Sequence, residues 1–155
     1  GRCCRLRGRF SGFEMLSLLD VVGRHVVYWH IVFASQEVDH WFTRHLAPGF
    51  QHCYAVREYR VGAAPSESLY VKMDPYAAMT TIDVWFCPPW VEQDDARIVR
   101  VAAARKVHAT RSWCHLGPIS CVEQIKLLLG IRSFFVRTPW QLYRYLLKHN
   151  GVLIS

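Results

Sequence analysis

Several signatures that would settle a function quickly are missing from this chain of 155 residues. It has no C-x-x-C pair, no H-E-x-x-H segment, no zinc-finger spacing and no RNA-recognition signature. It has no internal repeat, low-complexity tract or linker, which excludes solenoids and disordered adaptors. The apolar stretch 16–34 is interrupted by Asp20, Arg24 and His25, so it is poor as a membrane span, and no secretory signal is read in the first residues. Charged residues are scarce at 20%, slightly low for a soluble domain, which leaves room for an apolar contact surface.

What is present is a core-forming composition: 52% hydrophobic and 14% aromatic, with six tryptophans. That is enough to build one compact domain. The net charge is +7, carried by a basic N-terminus (Arg2, Arg5, Arg7, Arg9) and a second stretch (Arg97, Arg100, Arg105, Lys106, Arg111). Without a recognition motif, this predicts general attraction to anions and no more than nonspecific contact with nucleic acid. The six cysteines (3, 4, 53, 87, 114 and 121) are not spaced as a disulfide framework, and free thiols in a reducing compartment are expected. A zinc set drawn from His52, Cys53, Cys114, His115 and Cys121 fits no common spacing, so neither a metal nor another cofactor is expected.

Residues 1–14 read as a basic, flexible segment and 15–155 as a single α+β domain. Glu14 to Val22 reads as a short helix, Val26 to Ala34 as a strand, and Ser35 to Leu46 as a capped helix broken by Pro48-Gly49. Phe50 to Tyr59, Leu69 to Met73 and Thr80 to Phe86 form a three-stranded meander, turning at Gly62–Ser66 and closed by Pro88-Pro89. Glu92 to Arg97 reads as a helical turn, and Ile98 to Ala104 fits strand or helix. The aromatic stretch Trp85, Pro88, Pro89, Trp90 reads either as a groove lining or as a loop packed on the core.

Two helices close the chain. Ser120 and Glu123 match a capping box, which makes Cys121 the first helical residue. Val122, Ile125, Leu128 and Leu129 give that helix its apolar face and Gly130 its stop. A second helix, 139–149, has Thr138 as N-cap, Pro139 at N1, Gln141 completing a box, and Gly151 near its end. Its face of Trp140, Leu142, Tyr143, Leu146 and Leu147 is expected to pack against the cysteine helix.

Cys121 thus sits in the field of a helix N-terminus, which favours thiolate. A nucleophile also needs a base. His52 opens a strand, and a hairpin centred near Ala63 places it roughly opposite Asp74 on the same sheet face. There Asp74 can accept a hydrogen bond from the imidazole, fix its tautomer and stabilise its charged form. Asp74 reads equally well as an Asp-Pro residue ending a strand.

A strand-borne histidine, a polar residue on the next strand and a cysteine opening a helix resemble the papain-like cysteine hydrolases. With His52 ahead of Cys121, the order is that of their circularly permuted members. The pieces Pro-Gly-Phe-Gln-His (48–52), Met-Asp-Pro (73–75), Gly-Pro-Ile-Ser-Cys-Val (117–122), Leu-Gly-Ile (129–131) and Thr-Pro-Trp-Gln-Leu-Tyr (138–143) also look like small tailed-phage proteins. The resemblance implies a permuted papain-like fold: a meander against a cysteine-bearing helix and a C-terminal helix. It implies Cys121 as nucleophile, His52 as general base, Asp74 as orienter, and the Cys121 backbone N–H in the oxyanion hole. Gln51 is the candidate second oxyanion donor, although strand alternation points it away from His52. The implied reaction is amide or peptide hydrolysis through a thioester, on cell-wall peptides for a phage protein. The alternative is a non-catalytic virion component, of tail or capsid, whose partners are other virion proteins or its own copies. Virion or host cytoplasm is the corresponding location.

Overall fold

A computed structural model describes residues 5–6, 28–35, 45–60, 68–76, 79–91, 93, 95–102 and 120–154. Its strands are β1 (Arg5–Leu6), β2 (Tyr28–Ala34), β3 (His52–Arg60), β4 (Ser68–Tyr76), β5 (Met79–Trp85), β6 (Arg97–Ala102) and β7 (Val152–Leu153). Its helices are α1 (Cys121–Leu129) and α2 (Pro139–Lys148). Among the described residues the strands form one antiparallel sheet, in the order β1-β5-β4-β3-β2-β6-β7. The fold is α+β, and the expected meander is β3-β4-β5.

Alternating side chains give the sheet two buried faces. Trp29, Ile31, Phe33, Cys53, Ala55 and Val99 meet the helices through Val122, Ile125, Leu142, Tyr143 and Leu146. On the other face Val32, Tyr54, Val56, Tyr70, Trp85 and Ile98 form a second core, joined by Ala96 and partly buried Trp90. Of the aromatic stretch, Trp85, the last residue of β5, and Trp90, in the loop that follows, therefore pack on this second core. A sheet covered on both sides accounts for the nearly continuous apolar run of β2, whose residues Trp29–Ala34 are all buried.

Several expectations change. Asp74-Pro75 does not end a strand: β4 runs on to Tyr76, with Pro75 paired to Thr80. The hairpin register pairs Ala55 with Met73 and Tyr59 with Leu69, which centres it at residue 64 rather than 63. Continued, that register puts Tyr54 across from Asp74. A slip of two residues keeps every side chain on its face, so His52 and Asp74 still share one and meet on the diagonal. Residues 97–102 are a strand, not a helix, and Arg97 begins it rather than ending a helical turn. Two residues of the N-terminal segment, Arg5–Leu6, pair with Trp85 and Val84. The expected helices at 14–22 and, for the most part, 35–46 lie outside the described residues, as does the turn 62–66. Cys87 is disulfide-bonded, with a partner outside the described residues, so the cysteines are not all free; Cys53 and Cys121 are.

Both helices start where their caps place them. Ser120 accepts from the Glu123 N–H at 3.3 Å, and Gly130 takes φ +68° at the C-terminal end. The reciprocal half of this box is replaced: the Glu123 carboxylate accepts from Lys126 Nζ at 2.6 Å. Lys126, only 5% exposed, also donates to the Val136 carbonyl at 3.0 Å and ties α1 to the segment entering α2. The Thr138–Gln141 box is complete. At the end of α2 the left-handed residue is Asn150, not Gly151. Gly151 is needed for another reason: a Cβ there would lie 2.7 Å from the Leu146 carbonyl oxygen and 2.7 Å from Val99 Cγ1.

Candidate active site

Three elements bring their ends together at one end of the sheet. His52 is the first residue of β3, Asp74 lies near the end of β4, and Cys121 opens α1, which packs on both strands. Thr80, near the start of β5, donates to the Gln124 side chain and holds the first turn of α1 against the sheet.

The imidazole is held from both sides. His52 Nε2 lies 2.6 Å from Asp74 Oδ1, and the side chain also hydrogen-bonds with Cys121. Because Nε2 is committed to the carboxylate, Nδ1 is the nitrogen left for the sulfur. The second Asp74 oxygen, Oδ2, takes Lys72 Nζ at 2.7 Å. That ammonium also sits 4.2 Å from the centroid of the buried Tyr54 ring, whose hydroxyl donates to Gln93 Oε1 at 2.9 Å. A run of polar contacts therefore passes from Cys121 through His52, Asp74 and Lys72 to Tyr54 and Gln93.

On the other side of the sulfur is Cys53, fully buried at 0% exposure. Burial, reinforced by its hydrogen bond with Cys121, pushes its thiol well above the ordinary range, so it stays protonated and donates. That donation is the largest influence on Cys121. Together with His52 it overcomes the burial that opposes ionisation, and lowers the Cys121 thiol to about 5. For His52, burial disfavours the cation, but the bonds to Asp74 and Cys121 outweigh it and raise the imidazole to about 9. Asp74 is likewise opposed by burial, yet its bonds from His52 and Lys72 hold it down at about 2. Between these limits the site is a thiolate beside an imidazolium, anchored by a carboxylate. It can supply a charged sulfur nucleophile and a nearby proton.

Of the residues singled out from sequence, Cys121, His52 and Asp74 meet. Gln51 lies directly before β3, half-buried, with its backbone N–H on the Ala34 carbonyl. Cys114 and His115 of the hypothetical zinc set lie outside the described residues. Among the described residues no cluster suited to a metal ion is found, and no helix is long and apolar enough to cross a membrane. Sequence reasoning missed Lys72 and the role of Cys53. Lys72 stands two residues before Asp74, hence on the same face of β4, a relation that strand periodicity already contains. Cys53 adjoins His52 in the chain, but nothing local says that its thiol meets the helix.

Comparisons with protein-family models, curated proteins and solved structures find no match to this chain.

Proposed function

We propose that this chain is a cysteine hydrolase of permuted papain-like design that cleaves amide or peptide bonds through a thioester. The observation that supports this most directly is the hydrogen-bonded run from Cys121 through His52 to Asp74, with Cys121 held as thiolate and His52 as its cationic partner.

In this reading the Cys121 sulfur attacks the carbonyl carbon. The developing oxyanion is met by the Cys121 backbone N–H, which has no intrahelical partner at the first position of α1. His52 gives its proton to the departing amine as the C–N bond breaks. The thioester remains on Cys121. Neutral His52 then takes a proton from water, whose oxygen attacks the thioester, and the acid and free thiolate are released with His52 again charged. Asp74 keeps the ring oriented throughout, and Lys72 keeps Asp74 ionised and in place. Gln51 is retained as the candidate second oxyanion donor. The resemblance to tailed-phage proteins makes cell-wall peptides the favoured substrates.

The test is the rate of Cys121 alkylation by iodoacetamide across pH, mapped by mass spectrometry. The expected profile has an inflection near 5, and His52→Ala moves it upward. If Cys121 instead behaves as a thiol with an inflection at the ordinary value of 9.0, the hydrolase is ruled out and the non-catalytic virion component remains. For an active enzyme, Cys121→Ala abolishes turnover and His52→Ala lowers kcat by about 10²–10⁴.

A further inference from the structure

Beside the turn 47–50 that leads into β3 is a cavity of about 340 Å³ lined by Ala47, Pro48, Phe50, Arg97, Trp140 and Tyr143. Its floor is a rigid turn. The Phe50 N–H donates to the Ala47 carbonyl at 2.9 Å, Pro48 holds the second position, and Gly49 takes φ +77° at the third, which makes a type II turn. Its wall is a set of braced rings. Phe50 meets Trp140 at 4.7 Å and Tyr143 at 4.9 Å, and Trp140 stacks on Tyr143 at 5.6 Å. Trp140 nevertheless stays 40% exposed, although it lies on the face of α2 that sequence pattern assigns to the core. A large ring held in place and left open to solvent suits a contact with something outside the fold.

The remaining wall is a cation. The Arg97 guanidinium lies 5.5 Å from the Phe50 ring centroid, and no carboxylate among the described residues forms an ion pair with it. The cation lies over the Phe50 ring, and its N–H groups remain able to take a carboxylate in the bidentate manner.

The sheet fixes how far this cavity is from the chemistry. Phe33 pairs with Cys53 on one side and with Arg97 on the other, so Arg97 stands two strands from Cys53, on the same face as the thiol that hydrogen-bonds the Cys121 sulfur. That is about 10 Å at the usual strand spacing. An extended peptide covers it in about three residues.

We propose that this cavity is a substrate subsite for the C-terminal residue of a short peptide, with the apolar side chain among the rings and the free carboxylate on Arg97. The inference rests on the hydrolase reading and deepens it: the scissile bond lies about three residues before a free, apolar C-terminus.

The test measures equilibrium binding of N-acetyl-L-phenylalanine and of its amide to the full chain, by calorimetry or NMR, without turnover. The acid is expected to bind about tenfold more tightly than the amide. Arg97→Gln should abolish that preference, Arg97→Lys should keep part of it, and Trp140→Ala should weaken both ligands. Cys121 alkylation should change less than about twofold in all three variants, because none touches the sulfur. Equal binding of acid and amide, or a preference that survives Arg97→Gln, overturns the subsite and leaves the hydrolase standing. An ordinary Cys121 thiol overturns the hydrolase and leaves the binding result intact.

Discussion

Cys121 is flanked by two donors of different kinds, and their contributions separate by mutation. His52 is charged and exchanges its proton during the proposed chemistry, whereas Cys53 is a neutral donor that never ionises at working pH. Cys53→Ala should therefore raise the Cys121 pKa by about one unit while leaving the hydrogen bond between His52 and Asp74 in place. The alkylation profile reads this directly, and an unchanged inflection would mean that the Cys53 thiol is merely packed there. Lys72 calls for a different readout. Lys72→Met removes the cation from Asp74 Oδ2, so Asp74 should ionise closer to its ordinary value of 3.8. Carboxylate titration by NMR would show this, with the alkaline limit set by His52 shifted little.

At the scale of elements, the two helix starts differ in what holds them. α2 depends on a complete local cap, and Thr138→Ala should cost about 1 kcal/mol. α1 has half a box plus a long-range tie, Lys126 to the Val136 carbonyl. Lys126→Ala leaves that carbonyl without its donor and should cost about 1–3 kcal/mol. Gly151→Ala is expected to be comparably damaging, about 1–3 kcal/mol, because its methyl group would have to displace the backbone of α2 or the side chain of Val99. Urea midpoints at constant m-value measure all three. A Gly151→Ala protein as stable as the parent would show that the end of α2 gives way. The capping residues were legible in the sequence because a cap is a contact over three residues. The tie from Lys126 was not: a lysine three residues after Glu123 reads as a surface pair, and its burial depends on where the chain returns.

For the whole molecule, the site makes stability depend on pH in a patterned way. Cys121 ionises near 5 folded and near 9.0 unfolded, so its contribution is complete above pH 9 and is lost as pH falls through 5. The contribution of His52 is complete below 6.5 and is lost as pH rises through about 9. Between 6.5 and 9 the two oppose each other. From 5 to 6.5 the cysteine acts without that opposition, and stability should climb with pH by at most about 1.4 kcal/mol per unit. Asp74 adds a separate rise between about 2 and 3.8. Thermal unfolding should therefore show a Tm that rises from pH 5 to 6.5 and then flattens. Cys121→Ala should lose the rise from pH 5 to 6.5; the same slope in both proteins would mean that folding leaves the Cys121 thiol near its ordinary pKa.

What the sequence determined by itself is whatever depends on neighbours a few residues apart: two capped helices, the alternation of the meander strands, and a thiol at a helix start. Alternation also put His52 and Asp74 on one face, a relation that survived a two-residue change of register because the period of a strand is two. Only the tertiary structure decided which ends of the elements converge. It ran β4 past Asp74, placed β6 beside β2, and laid the start of α1 over the start of β3, so that Cys53 and His52 came within reach of one sulfur and Asp74, already beside Lys72 on its own strand, took the far side of the imidazole. The contacts of His52 and Cys53 join residues 22 to 69 positions apart, and their formation depends on burying both faces of one sheet rather than on any local preference.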